Sequence, residues 1–141
     1  LGRSVVAVDQ DVGGLTDLAG RPEVEIVAAD LENGAPWPLP PERRFSAVIV
    51  TNYLHRPLFP ILTQALAPGG LLLYETFAVG NERFGRPRNP EFLLRPGELL
   101  EVAASAGLTV AAYEHGALGD PPRAMVQRIC AVRGEAGPLP G

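Results

Sequence analysis

The sequence contains no lysine; all twelve basic residues are arginine. It has one cysteine, two histidines, one methionine and one tryptophan among 141 residues. Each scarcity excludes something. The lone Cys130 forms no internal disulfide, so the fold rests on its core, as cytosolic proteins do. Within "RICAV" it reads as a small buried hydrophobe. Two histidines and one cysteine lie far apart, which excludes a zinc cluster. No Ser-His-Asp or Gly-x-Ser-x-Gly pattern occurs. No run reaches the ~18 apolar residues of a membrane span, and no signal peptide is visible, so a cytoplasmic location is expected. Twelve basic against sixteen acidic residues give a net charge of −4. That excludes general nucleic-acid binding, which needs a basic face. The absence of lysine is read as genomic composition.

What is present is a globular composition, 46% hydrophobic and 20% charged. Its length suits one domain, expected over residues 1–133, with residues 134–141 as a flexible tail. Glycine and proline cluster at "GAPWPLPPE" (34–42), "RPRNP" (86–90) and the tail "GEAGPLPG" (134–141). The first residue is Leu rather than Met, which leaves a piece of a longer chain as an open reading.

Short apolar runs alternate with helix-like segments, the signature of an α/β sheet. Continuous apolar runs mark strands buried on both faces. They fall at Val5–Val8, "VEIVAAD" (24–30), "FSAVIVTN" (45–52), "GLLLYETF" (70–77), "LTVAAYEHG" (108–116) and "AMVQRICAVRG" (124–134). Helices are expected over 11–19, weakened by Gly13 and Gly14, over 56–70 and over 95–107. The second has Pro57 and Pro60 near its start and an "APGG" stop. The third ends at Gly107 as a C-cap. The last two strands lack a helix between them and should pair as an antiparallel hairpin around "GALGDPP".

The stretch "LTQALAPGGLLLYETF" (62–77), following "FSAVIVTNYLH" and preceding a Pro-Gly-Glu-Leu helix, resembles the class I methyltransferases that use S-adenosylmethionine (SAM). The closing hairpin fits their sheet, which is mostly parallel with one antiparallel strand near its edge. The resemblance runs roughly from Arg3 to Arg133. The loop "YETFAVGNERFGRPRNPEFLLRPGEL" (74–99) is similar to small bacterial enzymes of tellurite-resistance type. The fold implied is a Rossmann-like α/β sheet.

The resemblance implies a set of site residues. Asp9, ending its strand, would take both ribose hydroxyls of SAM, with Gln10 against the adenine. Asp30 would accept from the adenine amine, and the Leu31 N–H would donate to the ring. Thr51 and Asn52 would line the methionine part. Tyr53, His55, Tyr74 and Glu75 would face the mouth, with His55 either the candidate base, its ordinary pKa being ~6.5, or a cap of the following helix or a solvent-exposed residue. By themselves Arg83, Arg86, Arg88 and Arg95 read either as a lid for an anionic acceptor, with Arg86 the candidate ligand, or as a solvated loop that Glu82 and Glu91 partly balance. Phe84 and Phe92 would anchor that loop.

One departure is large. The family's first strand and its glycine-rich turn have no counterpart here. "DVGG" (11–14) lies on the wrong side of the strand to replace them. The missing strand is central, so its neighbours would be left ~10 Å apart. They must close up, leave edges unpaired or borrow a strand. The expected function is transfer of a methyl group from SAM to a small-molecule acceptor. The alternative is a non-catalytic remnant, or a module that self-associates as a homodimer through the gap. A nicotinamide-dependent oxidoreductase would also use Asp9, but the hairpin and the lack of any Tyr-x-x-x-Lys count against it.

Overall fold

A computed structural model describes residues 3–18, 20–135 and 137–138. Ala19, at the end of the first expected helix, and Ala136, Leu139, Pro140 and Gly141 of the expected tail lie outside the described residues. The chain divides into two compact units, Leu1–Pro41 and Glu42–Gly141.

In the first unit, β1 (Val5–Asp9) pairs in parallel with β2 (Val24–Ala28). Val5 lies opposite Val24 and Asp9 opposite Ala28. The connection contains a 3-10 helix, Gly13–Leu18, where an α-helix was expected. Two glycines at its start disfavour the regular helix. Among residues of this unit whose burial is described, only Leu39 is fully buried.

The second unit holds β3 (Phe45–Thr51), α1 (Phe59–Gln64), β4 (Leu66–Phe77), α2 (Glu98–Ser105), β5 (Thr109–Leu118) and β6 (Ala124–Val132). The sheet order is β3-β4-β6-β5. β3 and β4 are parallel; β6 runs antiparallel to both β4 and β5. The closing hairpin is therefore present, and its second strand inserts between β4 and β5. Among the described residues β1 and β3 each pair on one side only, with β2 and β4 respectively.

The α1 helix is shorter than its sequence pattern predicts. A 3-10 turn, Arg56–Leu58, precedes it and it stops at Gln64. The last helical bond runs from Ala65 N to Ile61 O at 3.1 Å, and Leu66 then enters β4 opposite Phe45. The Ala65 carbonyl accepts from Phe45 N at 2.8 Å, which starts the β3–β4 pairing. The bulge that follows within β4, where Phe45 faces Leu66 but Ala47 faces Leu71, needs glycine twice. Gly69 has φ +77, and a Cβ on Gly70 would stand 2.7 Å from the Ala67 carbonyl oxygen and 2.9 Å from that of Phe45.

α2 ends as expected at Gly107, whose φ is +70. Leu108 N donates to Ala103 O at 2.9 Å and Gly107 N to Ala104 O at 3.1 Å, the paired bonds of a Schellman motif.

Strand alternation builds the core. Leu72, Tyr74 and Thr76 of β4 and Ile129 and Ala131 of β6 are buried, as are Leu99 and Ala103 of α2. Phe59 of α1 packs on Tyr74 with ring centroids 5.7 Å apart. On the same face, the buried Gln127 accepts from Leu99 N at 3.4 Å and donates to Arg95 O at 2.6 Å. Both helices therefore cover one face of the four-stranded sheet. No helix among the described residues is long and apolar enough to cross a membrane.

Candidate functional site

Both acidic residues emerge at the same end of the two-stranded sheet. β1 and β2 run parallel, Asp9 is the last residue of β1, and Asp30 follows β2 by two residues. Ala29 N donates to Asp9 O at 3.0 Å, so the pairing continues up to Asp30. Each carboxylate folds back on its own loop. Asp9 Oδ1 accepts from Asp11 N at 3.2 Å and Asp30 Oδ1 from Glu32 N at 2.9 Å. These Asx turns fix the side chains at the strand ends. Asp9 and Gln10 are exposed; Asp30 and Leu31 are half-buried.

In the second unit, Thr51 ends β3 and is exposed, as is Asn52. Asn52 N donates to Glu75 O at 2.9 Å, extending the ladder by one bond. Its φ is +54, the only positive value at a non-glycine position among the described residues. Asparagine tolerates this left-handed turn better than other side chains, glycine aside. The chain thereby turns out of the sheet at the carboxyl end of a parallel strand, where sites on α/β sheets open.

Tyr53 and His55 are half-buried. His55 occupies the N-cap position of the 3-10 turn, where its carbonyl accepts from Leu58 N at 3.0 Å; its side chain makes no capping bond.

Tyr74 and Glu75 were both expected at one mouth. As neighbours on a strand they point to opposite faces. Tyr74 is 3% exposed and its hydroxyl donates to Tyr53 O at 2.6 Å, so the phenol sits in the core rather than at an opening. Burial pushes its pKa up, and Tyr53 and Glu98 add to this against the opposing effect of Arg56. Glu75 lies on the other face, with Arg128 at 3.0 Å, and Arg128 reaches Glu114 at 3.6 Å. Thr51, Glu75, Arg128 and Glu114 form one row across the four strands.

The arginine loop is firmly seated. Leu94 N donates to Phe77 O and Val79 N to Leu94 O, both at 2.9 Å. Buried Asn81 donates to Pro87 O at 3.1 Å and accepts from Met125 N at 3.0 Å. Leu93 and Leu94, both buried, do the anchoring expected of Phe92, which is 45% exposed. Phe84 is half-buried, with the Arg83 guanidinium 5.4 Å from its ring. Arg86 and Arg88 are exposed.

Sequence reasoning missed Arg56 and Glu98. Glu98 is 4% exposed and receives both Arg56 Nε at 2.7 Å and Nη2 at 2.9 Å. Arg56 also donates to Glu91 O at 3.0 Å and Leu93 O at 2.9 Å. This bidentate clamp ties the start of α1 to the arginine loop. Burial pushes the Glu98 carboxyl up, but bonds from Arg56 and the Arg95 amide outweigh it and hold the group below its ordinary value. Arg56 is correspondingly raised, chiefly by its bond to Glu98. The two residues lie 42 positions apart, and no local pattern announces the pair.

The mixed sheet and its closing antiparallel hairpin define an α/β fold of the class I SAM-dependent methyltransferase type. Solved structures of that class superpose on nearly the whole chain. TehB from Haemophilus influenzae matches with a TM-score of 0.69 at 16% identity, covering 94% of this chain and 51% of its own. The N-methyltransferase NodS from Bradyrhizobium japonicum matches at 0.66 and 14% identity, covering 94% and 74%. A Burkholderia thailandensis 1,6-didemethyltoxoflavin-N1-methyltransferase, solved with its namesake compound and S-adenosylhomocysteine, matches at 0.66 and 18% identity, covering 95% and 63%. The chain thus spans between half and three quarters of the length of these proteins. No protein-family model and no curated protein matches the sequence.

Proposed function

We propose that this chain is a SAM-dependent methyltransferase domain acting on a small-molecule acceptor. The observation that carries this reading is the pair Asp9 and Asp30, held in Asx turns at the same end of two parallel strands, in a chain with the methyltransferase fold. The donor set suits the cofactor. A carboxylate accepts two vicinal hydroxyls, and among the described residues only Oδ1 of Asp9 is engaged. Asp9 would hold the ribose and Gln10 would lie against the adenine. Asp30 would accept from the adenine amine and the Leu31 N–H would donate to the ring. Thr51 and Asn52 are proposed for the methionine part. When bound, SAM supplies an electrophilic methyl on a sulfonium, so the protein's task is alignment and, for a protonated acceptor, proton removal. His55 is the candidate for that proton and Tyr53, Glu75 and Arg86 for the acceptor.

Calorimetric titration with S-adenosylhomocysteine tests this. We expect binding that Asp9→Ala weakens by roughly tenfold or more, since a charge-assisted hydrogen bond contributes ~1.5–3 kcal/mol. Absence of binding by the intact chain, or equal binding by Asp9→Ala, would overturn it.

A second reading rests on the edges of β1 and β3 that carry no strand among the described residues. An unpaired apolar edge invites strand addition, and a second copy would offer the same edge. Sedimentation decides it: a dimer abolished by Val48→Pro supports this reading, and a monomer at all concentrations excludes it.

A further inference from the structure

Two segments leave the sheet side by side, at the carboxyl ends of the parallel strands β3 and β4. The first, residues 52–58, carries Asn52 and His55; the second, residues 78–97, carries Arg86. Connections at a strand end ordinarily move independently. Here one side chain fastens both. Four of the five N–H groups of the Arg56 guanidinium are engaged: Nε and Nη2 donate to Glu98, Nη2 also to Leu93 O, and Nη1 to Glu91 O. Glu98 in turn accepts from Arg95 N at 2.9 Å. The first segment is held from below as well. Asn52 N donates to Glu75 O at 2.9 Å, the Tyr74 hydroxyl donates to Tyr53 O at 2.6 Å, and the side chain of Leu54 is buried. Asn52 and His55 therefore lie in a run, 52–56, whose chain is fixed at both ends and between them.

Stability alone is a weak reason for such a clamp. Taking the Glu98 carboxylate, 4% exposed, out of water costs desolvation, and apolar side chains of similar volume often stabilise as well. What a forked ion pair adds is fixed geometry. Methyl transfer needs that geometry, since a misplacement of ~1 Å can cost ~100-fold in rate. We infer that Arg56 and Glu98 are positioning residues: they lock segments 52–58 and 78–97 into one rim, and so set Asn52 for the methionine part of SAM and His55 for the acceptor proton. The roles of Asn52 and His55 rest on the methyltransferase reading; the pair that holds them goes beyond it. Neither Arg56 nor Glu98 touches ligand in this assignment. Lysine at position 56 would not serve. A single ammonium on a flexible stem lacks the planar fork that meets Glu98 and two carbonyls together.

Calorimetric titration with S-adenosylhomocysteine, beside amide hydrogen exchange, tests the assignment. Arg56→Lys keeps a cation opposite Glu98, so no buried carboxylate is stranded, but it loses the fork. We expect it to weaken binding roughly fivefold and Arg56→Met roughly tenfold, with circular dichroism at the titration temperature showing that the variants are folded. Exchange at the Asn52 amide should quicken about tenfold in Arg56→Lys, while amides of β6 keep their wild-type rates. A double-mutant cycle separates positioning from general structural support. In an Asn52→Gly background, Arg56→Lys should weaken binding by less than about twofold, because the side chain it positions is gone. Equal losses in the two backgrounds overturn the inference, as does wild-type affinity in Arg56→Lys or an unchanged rate at the Asn52 amide. Wild-type protein that binds no S-adenosylhomocysteine overturns the methyltransferase reading and the inference with it. The other failures all require binding by the wild type, so the two cases are told apart.

Discussion

β1 and β2 pair with each other and, among the described residues, with no other strand, whereas β4 and β6 each have a strand on both sides. The consequence for burial is plain. No residue of β1 or β2 is fully buried, while β4 and β6 contribute Leu66, Leu72, Tyr74, Thr76, Val126, Gln127, Ile129, Ala131 and Val132 to the interior. A two-stranded ribbon is marginal by itself, and a sheet of three or more strands packed on helices is not. Yet Asp9, Gln10, Asp30 and Leu31, the residues proposed for the ribose and adenine, all sit on the marginal unit. The proposed ribose and adenine contacts therefore fall on a different part of the chain from the main core, while Thr51 and Asn52, proposed for the methionine part, belong to the second unit. A ligand held by the weak unit would stabilise it by mass action.

The sharpest way to break this comparison is to cut equal amounts from both units. Leu94 is fully buried in the second unit, and Leu94→Ala should destabilise it by about 3 kcal/mol, within the range for buried leucines. Ile26 of β2 is half-buried, and Ile26→Ala should cost under ~1.5 kcal/mol because less area leaves water to begin with. Urea unfolding followed by tryptophan-independent circular dichroism measures both. Equal losses would show that the two-stranded unit shares the main core.

Next in size is the Arg56–Glu98 clamp. Arg56→Met leaves a 4% exposed carboxylate without its bidentate partner, at a cost of about 3 kcal/mol. The pH dependence has a definite sign. The folded-state pKa of Glu98 is lowered, so the clamp's contribution is present above the ordinary value of 4.5 and is lost as pH falls through the native value. Thermal unfolding between pH 3 and pH 7 should therefore show an acid-side fall in the wild type that Arg56→Met flattens. β1 and β2 pair with no third strand among the described residues, so the β1–β2 amides should exchange with solvent well before those of β4 and β6.

Sequence reading reached local features and stopped at long-range ones. The Gly107 cap and the closing hairpin are written in adjacent residues and appear where expected, whereas Gly69 and Gly70, expected to turn helix into strand, form a bulge inside β4. The end of α1 falls where the Ala65 carbonyl meets the distant Phe45 amide, a contact without a local mark, so the apolar stripe running past it suggested a longer helix. Tyr74 was misplaced because the loop was read as one mouth; period-two alternation along β4 separates it from Glu75 and was available in the sequence. Arg56–Glu98 and the anchoring Asn81 had no such signal, since each meets partners more than 40 residues away.

Asn52 tests the junction between strand and candidate site. Its φ of +54 is tolerable for asparagine and costly for a β-branched side chain. Asn52→Val should destabilise the fold by about 1–2 kcal/mol, and Asn52→Gly should be near neutral for stability. If Asn52 side-chain chemistry serves the methionine part of SAM, Asn52→Gly should still weaken S-adenosylhomocysteine binding. Stability and binding then separate in one variant, and calorimetry read beside thermal unfolding shows whether they do.

The smallest effects come from adjacent residues on opposite faces of β4. Tyr74→Phe removes one hydrogen bond inside the covered face, the 2.6 Å bond to the Tyr53 carbonyl, and should cost about 1 kcal/mol. Glu75→Gln alters an ion pair whose partners are 37% and 42% exposed, and should cost under ~0.5 kcal/mol. The order follows from solvent access: water replaces the lost partner of Glu75 but reaches the Tyr53 carbonyl poorly. Salt separates the two further. Raising ionic strength to about 1 M screens exposed charges within ~3 Å, so it should erase the Glu75→Gln difference and leave the Tyr74→Phe difference in place. Persistence of the Glu75→Gln effect at high salt would mean that the Glu75–Arg128 pair is shielded from bulk solvent.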